Sequence, residues 1–182
     1  MPTVRLRPAR EADLELLAAA LSPEAHPWDW FGFSPSNALH RRFAVDGMIS
    51  DDSGMLVVET GEKVLVGLVT WRAVRYGPSP ACRAWNIGVL LLPDYRNRGY
   101  GSAAQRALAE YLFATTLAER VEAGTDVANV AEQRALEKAG FRHEGVLRHA
   151  QFRSGHWRDI MLYSILRAEA PPPEPETQPS NP

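Results

Sequence analysis

The chain has 182 residues, 45% hydrophobic and 23% charged, with a formal net charge of −2. That length suits about one domain, able to bury roughly 70% of its unfolded surface without disulfides or metals. The charge balance excludes a global basic field that would recruit nucleic acid or an anionic membrane, and the single cysteine, Cys82, excludes an internal disulfide and a Cys-rich zinc site.

The opening "MPTVRLRPAREADLE" lacks the apolar run of a signal peptide. No stretch approaches the roughly 20 apolar residues of a membrane span, so a soluble, cytoplasmic protein is expected. "TVRLRP" alternates as a short strand ended by Pro8, and "EADLELLAAAL" follows with helical periodicity behind acids that suit a helix start. Ser22 to Asn37, "SPEAHPWDWFGFSPSN", is too rich in Pro and Gly to be regular, and "NALHRRFAVDGMI" reads as a second helix. "GMLVVET" and "KVLVGLVTWRAV" flank Gly61-Glu62 as a hairpin. "CRAWNIGVLLL" is nearly continuous in apolar residues, which predicts a central strand covered on both faces.

"SAAQRALAEYLFATTL" places Ala104, Leu108, Tyr111 and Leu112 on one helical face. "ERVEAGT" is a short strand, and "NVAEQRALEKAGF" a helix with clear ends. Asn129 and Glu132 have capping-box spacing, and Gly140 suits a left-handed C′ residue with Phe141 behind it. "FRHEGVLRHAQF" and "HWRDIMLYSILR" are two long strands around Ser154-Gly155. The final "PPPEPETQPSNP" is expected to be disordered. Its Glu174 and Glu176 leave residues 1–170 near neutral. The order predicts one α+β domain over residues 1–170 and a tail over 171–182, without internal repeats.

Leu91 to Gln105, "LLPDYRNRGYGSAAQ", carries Arg96-x-x-Gly99-x-Gly101 where a strand hands over to a helix near Ser102. Two readings follow from the spacing. The glycines turn the chain, or they let successive N–H groups curve into an anion nest beside the positive helix end, with Arg96 and Arg98 supplying charge to phosphates. It is not a Walker loop, since no Gly-Lys-Ser/Thr follows, and repeated βαβ units are absent.

This stretch, with "NVAEQRALEKAGFRHEGVLR" and "GHWRDIMLYSILR", resembles the GNAT superfamily of acyl-CoA-dependent N-acyltransferases over most of residues 3–168. It is most similar to the branch of the ribosomal-protein N-acetyltransferase RimL. The resemblance implies a mixed, mostly antiparallel sheet flanked by helices and splayed beside its central strand, with the pantetheine arm of acetyl-CoA in the gap. It implies coenzyme A phosphates on Arg96, Asn97, Arg98, Gly99, Tyr100, Gly101 and Ser102. Backbone groups near Val89 and Leu91 would pair with pantetheine, and Asn129 would contact the cofactor arm.

Acyl transfer to an amine needs removal of a proton from a group of pKa about 10, a polarised thioester carbonyl, and protonation of the leaving thiolate. A backbone N–H around Val89 or Leu90 suits the oxyanion. Many relatives carry Glu where this chain has Asn86, and Asn orients a substrate or water without acting as a base. Many RimL-like relatives carry Ser where this chain has Glu132, which also reads as the N3 member of the helix cap; Asn129 likewise reads as an ordinary N-cap. Glu59, His149 and Asp159 are further base candidates, none fixed by spacing. Asp159, Met161 and Tyr163 share a strand face, so Asp159 and Tyr163 either line an active-site floor or are a hydrogen-bonded surface pair or a half-buried tyrosine.

His143, His149 and His156 lack the companions of a metal site, and Cys82 reads as a small buried thiol. Trp28, Trp30, Phe31 and Phe33 surround Asp29, a composition that suits an amine-bearing acceptor or anchors the loop to the core. The leading expectation is acetyl transfer to a primary amine, a protein N-terminus or a small molecule. The alternatives are a non-catalytic acyl-CoA sensor and transfer of another acyl group such as succinyl. The two long C-terminal strands leave a pairing edge for a homodimer.

Overall fold

Strands β1 (Val4–Arg7), β2 (Ser53–Thr60), β3 (Leu65–Arg75), β4 (Arg83–Leu91), β5 (Arg120–Asp126), β6 (Arg142–Arg153) and β7 (His156–Leu166) build one sheet. Helices α1 (Leu14–Ala20), α2 (Ala38–Asp46), α3 (Tyr100–Thr115) and α4 (Val130–Ala139) cover it, in a computed structural model that describes residues 1–21 and 37–170. The sheet order is β1-β2-β3-β4-β5-β7-β6, antiparallel throughout except where β4 meets β5. The expected α+β class and mostly antiparallel sheet are what the chain forms.

Strand periodicity sorts the apolar side chains into two cores. On β2, Leu56 and Val58 join Leu108 and Leu112 of α3 and Leu136 of α4. Met55 and Val57 point the other way, toward Leu14 and Leu17 of α1, with Leu39 and Phe43 of α2 packed against that cluster. Each fully buried leucine contributes roughly 1.5–3 kcal/mol of transfer free energy, so two cores fix which sheet face each helix occupies. β4 follows the same division. Trp85 and Ile87 lie under α3, while Ala84 and Leu90 point away from it. Between them, Asn86 and Gly88 are only half-buried. The strand expected to be covered on both faces is therefore open in the middle of one.

The sheet divides at this strand. β4 and β5 are parallel, and their pairing is confined to Trp85↔Val121, Asn86↔Glu122 and Ile87↔Ala123. β4 continues to Leu91 and β5 to Asp126 without further pairing. The strands separate after the third rung, and the expected splay lies between them.

Local chemistry explains the helix ends. α3 begins at Tyr100, two residues earlier than its sequence suggests, because Gly99 adopts φ +83° and serves as its N-cap. Asn129 caps α4, its Oδ1 accepting the Glu132 N–H at 3.3 Å. The helix closes with Gly140 at φ +100° and the Phe141 N–H on the Leu136 carbonyl at 3.0 Å. α2 ends at Gly47, short of the expected Ile49, which bridges to Gly54. Ser154 and Gly155 both take positive φ, the pairing that a tight hairpin between β6 and β7 requires.

Candidate active site

Backbone direction identifies which β4 groups face the gap. The Leu92 N–H donates to Val66 at 2.9 Å on the β3 side, so by strand alternation Leu90 and Gly88 also turn their backbone groups toward β3. The Leu90 carbonyl lies only 2.2 Å from where a Gly67 Cβ would stand, consistent with that direction. Val89 and Leu91 turn theirs into the gap. Of the two expected oxyanion donors, Val89 turns its N–H into the gap. Leu90 does not, because its backbone faces β3 and its side chain is buried in the α1 core.

At the mouth of the gap, Arg96 Nε donates to the Leu91 carbonyl at 3.1 Å. This folds the guanidinium back along the strand end. Asn97 at φ +59° and Gly99 at φ +83° put two left-handed residues in the loop. Runs of this kind turn successive N–H groups toward one concave side. Gly99 is also crowded, since a Cβ there would meet Pro2 at 3.1 Å. Gly101 carries no such demand, as its added Cβ would make only ordinary contacts with Leu91 and Ala135. The first helical bond is Ala103 N–H to the Gly99 carbonyl at 3.2 Å, so the N–H groups of Tyr100, Gly101 and Ser102 precede the ladder. Arg98, Asn97 and Gly99 are exposed and Ser102 is buried. The Tyr100 to Ser102 N–H groups thus lie at the positive end of the helix dipole beside Arg96 and Arg98, an arrangement whose chemistry suits an anion.

The foot of the gap carries a cluster that the sequence analysis did not single out. Glu122, 4% exposed, sits on the Asn86 rung. Its carboxylate accepts from Asn86 Nδ2 at 3.3 Å, Tyr76 Oη at 2.5 Å and Arg120 Nε at 3.1 Å. Arg120 also binds Glu144 through both terminal nitrogens at 2.6 Å, and Ser164 Oγ donates to Glu144 at 2.6 Å. Arg120 holds the Glu144 carboxyl down at a pKa of about 2, helped by Ser164 and opposed by burial. Its own pKa is raised, first by Glu144 and then by Glu122. Tyr76 is pushed up by burial and by its bond to Glu122. The sequence signal for Glu122 was faint: an acid in a short strand whose register is set by long-range pairing.

Other proposed residues have different surroundings. Tyr163 is 1% exposed in the core beneath α3 and α4. Its hydroxyl donates to Glu137 at 3.3 Å, its ring contacts His143, and burial raises its pKa ahead of Glu137's effect. It faces away from Asn86, and Glu132 sits on the first turn of α4. The three proposed catalytic residues therefore do not converge. Glu59 is committed to Arg7 at 2.5 Å, and Arg7 also grips Asp13. Asp159 and His149 do meet: at the bulge in β6 the His149 N–H donates to Asp159 Oδ1 at 2.8 Å, beside Val146 and Leu147. Trp28, Asp29, Trp30 and Phe33, and the tail beyond Ala170, lie outside the described residues.

Known proteins share the fold. The chain matches the acetyltransferase (GNAT) domain family over residues 3–142. It is similar to YnaD, an uncharacterized N-acetyltransferase of Bacillus subtilis (strain 168), with 33% identity over 85 residues, 47% of this chain and 50% of that protein. The chain thus spans about half the length of that curated relative. YdaF of the same organism, named as a ribosomal N-acetyltransferase, is 24% identical over 172 residues, 92% of each chain. The fold of a Vibrio cholerae spermidine N-acetyltransferase, solved with CoA and spermine, matches at a TM-score of 0.77 over 92% of this chain and 97% of its own, with 20% identity. Mycobacterium smegmatis RimJ, solved with CoA-disulfide, matches at 0.74 over 93% and 85%, with 25% identity. With the family match covering well over half its length, the chain belongs to the GNAT acetyltransferase family.

Proposed function

We propose that this protein moves an acetyl group from acetyl-CoA directly to a primary amine. The carrying observation is the gap between β4 and β5, which ends at the start of α3, where the Tyr100, Gly101 and Ser102 N–H groups precede the ladder. Arg96, Asn97, Arg98, Gly99, Tyr100, Gly101 and Ser102 take the phosphates of the donor. Val89 and Leu91 offer strand-like backbone groups to its amide-bearing arm, and Asn129 stands on the opposite side, at the start of α4. The Val89 N–H is the group placed to stabilise negative charge on the thioester oxygen.

The chemistry is a nucleophilic displacement. An unprotonated amine forms a C–N bond with the acyl carbon, the C–S bond breaks, and one N–H proton ends on the departing sulfur. The proton that first leaves an ammonium acceptor passes to water. Holding both reactants in the gap supplies rate through proximity. Placement in the RimL-like branch is supported by the similarity to YdaF and to RimJ. A small amine such as spermidine is the competing acceptor, supported by the match to the V. cholerae fold. β6 is an edge strand with Val146, Leu147 and Phe152 exposed beside Trp157 of β7, and we assign self-association to it.

Calorimetry with coenzyme A should show binding that weakens with salt, as phosphate contacts require. Thiol release from acetyl-CoA, run against spermidine and against peptides with free N-termini, should then rise with one amine class. Binding without amine-stimulated release would favour an acyl-CoA sensor, and no binding would remove both readings. Light scattering on the same sample tests self-association; a mass of one chain would remove it.

A further inference from the structure

On the sheet face turned away from α3, Asn86 and Gly88 are half-buried and Gly124 is exposed. Asn86 and Glu122 form one rung there, and the following position on that face would set Gly88 of β4 against Gly124 of β5. The ladder has ended by then, so two walls without Cβ atoms face each other across the start of the gap. A Cβ at Gly88 would stand 3.0 Å from Thr70 Oγ1, and one at Gly124 would stand 2.9 Å from Ile160 Cγ2. The two glycines, with Thr70 and Ile160 packed close against them, form a Cβ-free notch beside Asn86 at the start of the gap.

Asn86 and Glu122 form the rim of that notch. An ionised carboxylate only accepts hydrogen bonds, so the Asn86 carboxamide must turn its nitrogen toward Glu122, as the 3.3 Å contact records. The other two donors to Glu122, Tyr76 and Arg120, hold the carboxylate in place. The Asn86 oxygen is consequently directed away from Glu122, as an acceptor on a half-buried side chain. The charged and titratable groups around the pair are Tyr76, Arg120, Glu144 behind Arg120, and Arg72, the exposed cross-strand partner of Asn86 on β3.

We propose that Glu122 is a positioning residue that fixes the Asn86 carboxamide, so that Asn86 Oδ1 accepts an N–H of the amine entering at the Gly88–Gly124 notch. The inference rests on the acetyl-transfer reading. An amine held by one N–H keeps its lone pair free to attack the thioester carbon. Asn86 takes no proton. It selects an orientation and favours nucleophiles that carry an N–H.

The test uses acetyl-CoA with hydroxylamine, a small N–H nucleophile largely unprotonated at neutral pH, with hydroxamate and free thiol as products. The C–N bond forms, the C–S bond breaks, and an N–H proton goes to sulfur. Asn86→Leu should lower kcat by about tenfold or more while coenzyme A affinity and melting temperature stay near those of the parent. Asn86→Asp sets two carboxylates against each other, which must share a proton to pair. That variant should work at about pH 5 and lose activity toward about pH 8, as the shared proton leaves. Adding Glu122→Gln to Asn86→Asp reverses the donor and acceptor and should restore the parental profile, in which only hydroxylamine itself titrates. Parental turnover in Asn86→Leu, or a parental pH profile in Asn86→Asp, overturns the proposal. So does a parent that binds coenzyme A yet makes no hydroxamate above the uncatalysed rate; a parent that binds no coenzyme A overturns the acetyl-transfer reading instead.

Discussion

At the scale of single residues, much of the polar chemistry is spent on holding strands in place. Arg120 joins Glu122 of its own strand to Glu144 of β6. For Glu144 the pKa falls from 4.5 to about 2. A carboxyl with a depressed folded-state pKa contributes stability above its unfolded value and loses it as pH falls toward the folded one. The parent should therefore be more stable than Glu144→Gln above pH 4.5, with the difference shrinking toward pH 2. The effect is modest, because the Glu144 side chain is 38% exposed and solvent screens it. Melting curves of both proteins across that range measure it, and a difference independent of pH would show that Glu144 acts only through packing. The same network explains what was hard to read from the chain. Asn86 drew attention as a position where relatives carry an acid, whereas Glu122 acquires meaning only once β5 is registered against β4.

At the scale of elements, the ends of helices were more legible than their environments. Asn129, Glu132, Gly140 and Phe141 are local signals, since each depends on hydrogen bonds within a few residues, and α4 begins and ends where they indicate. The start of α3 was misplaced because Gly99 reads equally as loop or cap until its φ is known. The coverage of β4 was overestimated because apolar neighbours do not reveal that the strands part just beyond Asn86, with glycines at Gly88 and Gly124 on that face. Gly140→Ala isolates one local term. Its Cβ would meet Ile165 at an ordinary 3.5 Å, so the cost is that of a left-handed alanine at φ +100°, roughly 1–2 kcal/mol. For a chain of this length that corresponds to a fall in melting temperature of about 2–8 °C. Coenzyme A affinity should be unchanged, since Gly140 lies at the opposite end of α4 from Asn129. A melting temperature equal to the parent's would mean that the helix end relaxes to another conformation.

At the scale of the whole molecule, the sheet consists of two antiparallel parts, β1 to β4 and β5 with β7 and β6, joined through three parallel rungs. α3 spans the junction, since it follows β4 in the chain and packs with α4 over β5. Such a construction leaves backbone groups of Val89 and Leu91 without strand partners on the gap side, and it makes the separation of the two parts dependent on what lies between them. A ligand that pairs with these groups adds a cross-connection absent from the free protein. Coenzyme A at about one hundred times its Kd should stabilise the fold by about 2.7 kcal/mol, raising the melting temperature by about 5–10 °C. The location of the effect is the sharper test. Amide exchange should slow at Val89, at Leu91 and at Tyr100 to Ser102, where donors precede or lie outside the ladders, while Leu90, already bonded toward β3, changes little. Protection spread evenly over the protein, with the gap-facing amides no slower than before, would mean that coenzyme A stabilises the molecule without entering between β4 and β5. The reading of the gap as the donor site would then be wrong, whatever the size of the thermal shift.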